Sequence, residues 1–336
     1  MKYNMALWLE ELKGVHPKKP LPILSFPSVS LLGVGVKEII SDSELQAKGM
    51  LEVAKRTASS ASVSFMDLSV EAECFGAAVS FSDTEVPTVK GRMINDMDEA
   101  EALAVPKVGS GRSSLYIDAI RRASELITDR PVLAGMIGPF SLAARLLDVS
   151  EIMIDCYDDP DMVHTVLEKA TEFLTEYAKA YKAAGANGVV VAEPVAGLLS
   201  PSLEAEFSAP YLKKITDAVQ DEEFAVVYHN CGDNVPLMLD SILSTGCAAY
   251  HFGNAVDMED IINKLPKGTV AMGNIDPAGV LRMGDAATVR EKTLALLEKC
   301  SKYEGFVLSS GCDIPPLTPW ENIDAFFAAS EEFYNK

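Results

Sequence analysis

The sequence predicts an α/β barrel of eight strand-then-helix units, with an N-terminal helical extension and a β-hairpin insertion. Three observations lead to this prediction. Short apolar runs alternate with longer amphipathic segments, which is the pattern of a parallel sheet covered by helices. A chain of 336 residues has a normal length for such a barrel with additions. No glycine-rich phosphate loop follows the first predicted strand, which disfavours a doubly wound open sheet.

The eight strands are recognised as short apolar runs that stop at glycine, proline or polar residues. In chain order they are residues 21–30, 62–68, 131–138, 188–193, 224–233, 248–252, 269–274 and 305–309. Residues 74–94 interrupt this order because they alternate in polarity and contain Gly76, Pro87 and Gly91. That pattern predicts the β-hairpin insertion.

The helices are recognised by amphipathic spacing together with start and stop signals. Ser200 and Pro201 supply a cap and a first-turn proline, and the segment 318–321 (TPWE) is a capping box for the last helix. The predicted helices cover residues 1–13, 41–61, 110–128, 139–147, 150–158, 160–184, from 200 onward, 235–244, 258–265, 286–299 and 320–334. No flexible linker or charge run divides the chain, so we expect one barrel domain over residues 1–336, with residues 1–19 as its extension.

The composition disfavours several classes of function. The formal net charge is −20, from 29 basic and 49 acidic residues, and it repels nucleic acid and anionic membrane surfaces. No run approaches the roughly 20 apolar residues that span a bilayer, and the N-terminal stretch is unlike a signal peptide. The six scattered cysteines indicate a reducing cytoplasm. The acidity either maintains solubility or forms a docking surface for a protein partner.

The segment 224–233 (FAVVYHNCGD) carries the most informative chemical signal. His229 and Cys231 are two residues apart at the end of a buried strand, so their side chains share one face. An imidazole and a thiol on one face are half of a zinc site. Cys312, in the loop after the eighth strand, could reach across the barrel mouth as a third ligand. The alternative is that these residues pack in the core.

Other polar side chains fall at or just after strand ends, where barrel enzymes collect catalytic groups. We expect substrate contacts from Asp67, Glu193, Asn254, Asn274 and Asp276. Asp257 is a candidate further metal ligand. The alternative for Asp67, Asn274 and Asp276 is that they cap the helices that follow them.

The remaining histidines and cysteines have simpler explanations. His251 lies between Tyr250 and Phe252 and is expected to pack in the core, and His16 and His164 are expected at the surface. Four cysteines lie on apolar faces and resemble small buried hydrophobic residues: Cys74, Cys156, Cys247 and Cys300.

Two thiolates and an imidazole form a soft ligand set that suits zinc better than magnesium or calcium. Three protein ligands leave a fourth position open, as in catalytic zinc sites. A thiol entering that position would lose its proton and become a nucleophile. The competing use is hydrolysis by zinc-bound water, for which Glu193 or Asp257 could be the base. The spacing does not choose between the two.

Several segments resemble the uroporphyrinogen decarboxylase superfamily, and within it the zinc-dependent methylcobalamin:coenzyme M methyltransferases. These segments are residues 66–77, 138–147, 184–215, 229–232 (HNCG), 272–281 (MGNIDPAGVL) and 309–326 (SSGCDIPPLTPWENIDAF). The resemblance implies that His229, Cys231 and Cys312 hold one zinc ion. It implies one-carbon chemistry of the kind used in methanogenesis, in which a methyl group passes from a corrinoid on a transient partner protein to a small thiol. Asp257 or Glu193 could complete the zinc shell or orient His229.

The decarboxylases of the superfamily carry arginines on the first strand that hold a tetrapyrrole, whereas residues 23–33 (ILSFPSVSLLG) contain none. The missing arginines and the complete His-Cys-Cys set argue against decarboxylation. Decarboxylation with Asp67 near the pyrroles is kept as one alternative, and a non-catalytic corrinoid-protein-binding barrel is another. Coenzyme M carries a sulfonate, for which Arg92, Arg112 and Arg282 are candidate partners. Another thiol or a folate could also be the acceptor.

Overall fold

The structure, a computed structural model, describes residues 3–335. Seven strands form one parallel sheet in the order β1-β4-β5-β6-β7-β8-β9, and β2 and β3 form a separate antiparallel hairpin. The strands are β1 Ser62–Val63, β2 Ala78–Ser80, β3 Thr88–Lys90, β4 Val132–Ile137, β5 Gly188–Ala192, β6 Ala225–Asn230, β7 Ala249–Phe252, β8 Ala271–Ile275 and β9 Phe306–Ser310. The predicted barrel class with its hairpin insertion is confirmed.

Helices follow almost every strand and cover the outside of the sheet. They are α1 Met5–Gly14, α2 Ser28–Leu32, α3 Val36–Ile39, α4 Ser43–Arg56, α5 Val70–Cys74, α6 Met97–Ala102, α7 Ser113–Leu126, α8 Pro139–Leu147, α9 Val149–Asp158, α10 Pro160–Ala183, α11 Pro201–Phe207, α12 Ala209–Val219, α13 Leu239–Ser244, α14 Met258–Lys264, α15 Ala286–Cys300 and α16 Trp320–Tyr334. Short 3₁₀ helices at Ala196–Leu198 and Val235–Leu237 follow β5 and β6, and a π-helical turn at Pro277–Arg282 follows β8. Within the described residues, no helix is long and apolar enough to cross a membrane.

Successive strand residues point to opposite faces, and this alternation divides the core in two. Val190 and Val227 pack in an inner cluster, whereas their neighbours Val191 and Tyr228 pack in the outer cluster under the helices. Helix α1 belongs to the inner cluster, where its Met5, Trp8 and Leu12 are buried. The Met5 N–H donates to Glu222 O at 2.6 Å, just before β6. The predicted N-terminal helix therefore covers the amino ends of the strands.

The prediction that residues 21–30 form the first strand of the sheet is wrong. Pro20, Pro22 and Pro27 lack the N–H donors that a central strand needs, and α2 begins within the segment. The segment instead bridges the two edge strands. The Leu21 N–H donates to Leu308 O in β9 at 2.9 Å, and Ser25 Oγ donates to Val63 O in β1. The second predicted strand, residues 62–68, is shortened to β1, which pairs in parallel with β4 over Ser62 and Val63 alone.

Candidate metal centre

Three residues from distant parts of the chain converge at the carboxyl ends of the strands. His229 lies in the inward-facing register of β6, Cys231 follows that strand directly, and Cys312 lies two residues after β9. Their Nε2 or Nδ1 and Sγ atoms all lie within 4.8 Å of one another, and His229 Nε2 is 3.4 Å from Cys312 Sγ. Among residues 3–335, this is the one such group of histidine, cysteine and acidic side chains. The structure therefore brings together the three residues that the sequence predicts as metal ligands.

The backbone beside Cys231 is packed tightly enough to require glycine. A Cβ atom built on Gly253, just after β7, would lie 2.5 Å from both Cα and Cβ of Cys231. Real Cβ atoms essentially never approach backbone that closely. Gly253 therefore allows the loop after β7 to hold Cys231 at its position in the cluster.

A buried hydrogen-bond chain runs from His229 into the barrel wall. His229 Nδ1 lies 2.8 Å from His251 Nδ1, and His251 Nε2 lies 2.8 Å from Ser309 Oγ. The Ser309 hydroxyl in turn donates to Leu21 O at 2.6 Å. All three side chains are buried, and their residues lie on β6, β7 and β9. We call this set, with Leu21 O at its end, the histidine relay.

The direction of the histidine relay determines the tautomers of both imidazoles. Since Leu21 O can only accept, Ser309 donates its single proton there and accepts one from His251 Nε2–H. Burial, and then the nearby His229, lower the pKa of His251 well below its usual value, so its Nδ1 is an acceptor. His229 therefore donates from Nδ1–H, which leaves a lone pair on the Nε2 that faces Cys312. That is the tautomer a metal ligand requires.

The two thiols of the cluster differ in acidity. Interaction with the Cys312 thiol is the largest cause that lowers the pKa of Cys231, to about 4. The same interaction, with burial, raises the pKa of Cys312 well above its usual value. The pair thus supplies one thiolate readily beside an imidazole with a free lone pair. Such a soft sulfur and nitrogen donor set suits zinc.

Glu193 accepts hydrogen bonds from the amino end of α8 and is not part of the His229–Cys231–Cys312 cluster. Its carboxylate is completely buried and accepts hydrogen bonds from Phe140 N at 3.0 Å, Ser141 N at 2.9 Å and Ser141 Oγ at 2.7 Å. It therefore satisfies the amino end of α8, and Gly138 leaves room for it, because a Cβ there would lie 2.3 Å from the carboxylate. Burial raises the pKa of Glu193 to about 7, against the hydrogen bonds that lower it.

Asp67 is also fully engaged, in a buried network beside the cavity described below. Its Oδ1 accepts from Ser69 N at 3.1 Å and Ser69 Oγ at 2.6 Å, and its Oδ2 accepts from Tyr116 Oη at 2.9 Å and from Arg112. The Arg112 Nε donates to Glu73 at 2.6 Å. In this conformation no lone pair of the Asp67 carboxylate is directed at open space.

Of the other four predicted site residues, Asn274 lies in β8 and the remaining three lie on loops at this end of the barrel. Asp257 is exposed, caps α14 and pairs with Lys299, so it is not part of the cluster. Asn274 donates to Gly253 O and Val256 O, both at 2.9 Å, and Asp276 caps the turn Pro277–Arg282. Asn254 is exposed. Substrate contact by these residues stays a prediction.

A cavity of about 430 Å³ lies against the cluster. Its walls include His229 and Cys312, residues of the β2–β3 hairpin, and the side chains of Arg145, Arg282 and Asp313. The hairpin is held over the cavity by an ion pair of 3.1 Å between Glu85 and Arg282. Sequence reasoning missed His251 and Arg145. The in-register pairing of His229 with His251 across β6 and β7 has no signal in the local sequence.

Fold and site together define an α/β-barrel protein with a His/Cys/Cys cluster at the carboxyl ends of its strands that could hold a metal ion. The model of the uroporphyrinogen decarboxylase (URO-D) family matches residues 28–333, and the chain belongs to this family. The resemblance seen in the sequence motifs is thereby confirmed.

Two kinds of enzyme are similar to this chain in sequence. The methylcobamide:CoM methyltransferase MtbA of Methanosarcina acetivorans is 27% identical over 271 residues, covering 80% of this chain and 78% of the relative. The uroporphyrinogen decarboxylase of Coxiella burnetii is 27% identical over 308 residues, covering 86% of this chain and 82% of the relative. Among solved structures, a methyltransferase from Methanosarcina mazei matches with a TM-score of 0.85 at 27% identity, over 99% of this chain and 100% of that one. Because both kinds of enzyme are 27% identical to the chain, sequence identity does not choose between their activities. The choice depends on the chemistry of the site.

Proposed function

We propose that this protein is a zinc-dependent methyltransferase that moves a methyl group from a methylcorrinoid on a partner protein to a small thiol. The single observation that carries the proposal is the cluster of His229, Cys231 and Cys312, with the Nε2 lone pair of His229 directed into it. The likeness to a methylcobamide:CoM methyltransferase and to a methyltransferase structure supports the same reaction class.

The residues fit the metal that this chemistry needs. His229, Cys231 and Cys312 would hold zinc, which when bound keeps an acceptor thiol deprotonated at neutral pH. The histidine relay orients the His229 ring and fixes its tautomer. Half-burial of both cysteines limits access of water to their sulfur atoms.

The methyl transfer itself is a displacement at carbon. The acceptor thiolate attacks the methyl carbon, a sulfur–carbon bond forms, the cobalt–carbon bond breaks, and its electron pair remains on the corrinoid. A cavity of about 430 Å³ is suited to a small thiol. A corrinoid is much larger and would have to approach from the open end of the barrel.

Exposed apolar side chains are placed where such a partner would arrive. Leu198, Leu237, Met283 and Leu317 are all largely exposed and lie on loops after β5, β6, β8 and β9. Since the carboxyl ends of parallel strands share one edge, these loops surround the cavity mouth. The surface supports a transient complex with a corrinoid protein.

The alternative chemistries find less support. Hydrolysis by zinc-bound water would use Glu193 or Asp257 as base, but both carboxylates are engaged in capping helices away from the cluster. Tetrapyrrole decarboxylation would use Asp67, whose two oxygens are both saturated by protein donors. Neither chemistry finds a free carboxylate in the residue that the sequence assigns to it.

The proposal is tested first by zinc content in protein purified without added metal. We expect about one zinc per chain in the wild type and little in Cys312→Ser, because the loss of one of three ligands weakens the site strongly. The matched control is Cys74→Ser, whose thiol hydrogen-bonds Ser110 O outside the cluster and which should keep its zinc. The zinc-loaded protein should then methylate a thiol from free methylcobalamin. Zinc-free wild type with reduced thiols, or zinc-loaded protein with no transfer to any thiol, would refute the proposal, the latter in favour of a non-catalytic barrel.

A further inference from the structure

A buried carboxylate behind β6 has no counterpart in the protein. Glu204 lies in α11, its side chain is completely buried, and neither of its oxygens has a hydrogen-bond partner among residues 3–335. Burial raises the pKa of Glu204 to about 7, the nearby Ser241 lowers it, and no basic side chain in the described part of the chain contributes. An unpaired buried carboxylate is costly, so a group of this kind calls for a ligand of opposite charge.

Two serine hydroxyls beside Glu204 are also unsatisfied. Helix α11 packs against α13, where Ser241 lies close enough for its hydroxyl to lower the pKa of Glu204. Ser208 lies one helical turn after Glu204, at the junction of α11 and α12. The Oγ atoms of both serines are buried, and neither has a partner at hydrogen-bond distance in residues 3–335. The unsatisfied atoms around this carboxylate are therefore all oxygens.

Strand β6 supplies a third hydroxyl. Tyr228 points outward from the sheet and packs under the helices, and burial, followed by the charge of Glu204, raises its pKa well above the usual value. Its Oη accepts a hydrogen bond from Asn230 Nδ2 at 2.8 Å, which leaves a second lone pair for another ligand. Residues from α11, α13 and β6 thus place oxygen atoms around one buried negative charge.

The other buried carboxylates show how this protein normally satisfies such groups. Glu193 accepts three hydrogen bonds from the first turn of α8, and Asp67 accepts four from its own network. Glu71 accepts from Ile137 N at 3.1 Å. Among the buried carboxyl groups of residues 3–335, Glu204 is the one in which both oxygens lack a partner. The contrast indicates a ligand that is not a protein group.

We propose that Glu204, together with the hydroxyl oxygens around it, binds a monovalent alkali cation, Na⁺ or K⁺. Carboxylate and hydroxyl oxygens are ligands for hard cations. One carboxylate balances one positive charge, whereas a divalent ion would leave a net positive charge buried. A water molecule would satisfy the hydrogen bonds but leave the charge of the carboxylate uncompensated. The hydroxyl ligands are those of Ser208, Ser241 and Tyr228.

The cation site is separate from the candidate metal centre. Tyr228 and His229 are adjacent in β6 and point to opposite faces of the sheet, so the site lies outside the barrel wall and the His229–Cys231–Cys312 cluster lies inside it. The donor sets also differ, because the first consists of oxygen atoms and the second of nitrogen and sulfur. The inference therefore does not depend on the proposed function.

The first test is thermal unfolding of the full-length protein in KCl, NaCl or choline chloride at equal ionic strength. A pH of about 8.5 keeps Glu204 ionised, because that pH lies above its pKa of about 7. The melting temperature of the wild type should rise with K⁺ or Na⁺ until it saturates, by about 2 °C at ten times the dissociation constant. Choline, which is too large for the site, should not raise it.

The decisive variant is Glu204→Gln, with Glu206→Gln as matched control. Glu204→Gln removes the charge at constant shape and should abolish the rise that is specific to alkali ions. Glu206 lies on the same helix but is exposed, so Glu206→Gln should keep the full rise. Ser241→Ala removes one neutral ligand and should weaken the cation affinity severalfold while leaving the charge in place.

A direct measurement on the wild type does not depend on the folding of any variant. If K⁺ stabilises the protein, crystals soaked in rubidium chloride should show an anomalous scattering peak between Glu204 and Ser241, since Rb⁺ replaces K⁺. If Na⁺ is the stabilising ion, the wild type should broaden the sodium NMR resonance, and added choline chloride should not reverse the broadening.

Three results would overturn the inference, and each leaves the proposed function intact. Equal melting temperatures in alkali and choline chlorides, with no anomalous peak or line broadening, would show that water or a proton satisfies Glu204. A rise of equal size in wild type and Glu204→Gln would place the ion elsewhere. Stabilisation by calcium or magnesium chloride in place of the alkali chlorides would assign the site to a divalent ion.

Discussion

Replacing His251 with phenylalanine is expected to weaken zinc binding although His251 is not itself a ligand. The substitution conserves ring size at a buried position but removes the acceptor for His229 Nδ1–H. That N–H then lies buried without a partner, and the His229 ring is free to rotate or to change tautomer. Either change withdraws the Nε2 lone pair from the cluster with Cys312.

The size of the effect follows from the hydrogen bond that is lost. Leaving one buried donor unsatisfied costs about 1–3 kcal/mol. At about 1.4 kcal/mol per factor of ten, zinc affinity should fall about 5- to 150-fold, which brackets the 10- to 100-fold loss usual when the partner of a ligating histidine is removed. Ser309→Ala, which removes the acceptor of His251 Nε2–H, should have the same direction and a smaller effect, since His251 can still accept from His229 in one of its tautomers.

The assay is competition for zinc against a chromogenic chelator of known affinity, at one pH and temperature, with circular dichroism to verify the fold. His164→Phe is the matched control, because His164 hydrogen-bonds Tyr211 at 2.7 Å outside the cluster. His251→Gln, whose amide oxygen can accept from His229, should restore part of the affinity. A folded His251→Phe variant whose zinc affinity stays within twofold of the wild type would show that the histidine relay does not position His229.

Three further predictions concern stability, geometry and docking. Burial raises the pKa of the buried Glu71 carboxyl from 4.5 to about 8. Its contribution to the free energy of unfolding is therefore fully present below about pH 4.5 and is lost as the pH rises through about 8. Glu71→Gln should reduce this loss of stability between about pH 5 and about pH 8 by on the order of 3 kcal/mol, as measured by urea unfolding at the two pH values. An unchanged slope would contradict the assignment. Gly253→Ala should reduce zinc content, measured by atomic absorption, because its Cβ would displace Cys231; full zinc loading would refute the packing argument. Replacing Leu237 and Met283 together with serine should raise the KM for a methylated corrinoid protein severalfold and leave transfer from free methylcobalamin unchanged, whereas equal effects on both donors would exclude a docking role.

Local pattern was sufficient for most of the fold. Apolar runs flanked by glycine and polar residues located seven of the eight predicted strands, because strand formation in a buried parallel sheet depends mainly on continuous apolar character. The segment 21–30 has the same apolar character, yet its prolines remove the donors for a ladder, and it closes the sheet through only a few hydrogen bonds. Whether an apolar run that contains prolines joins a sheet therefore depends on the hydrogen bonds that the adjacent strands can form with it, and these are not visible in the run itself.

The sequence by itself determined the ligand set of the candidate metal centre. The two-residue spacing of His229 and Cys231 places both on one face of any strand, and the strand order places Cys312 at the same end of the barrel. Only the tertiary structure decided which other groups act on that set. The histidine relay requires the register of β6 against β7, which places His229 beside His251. Periodicity is a property of adjacent residues, whereas hydrogen-bond and charge pairing depend on contacts between residues far apart in the chain.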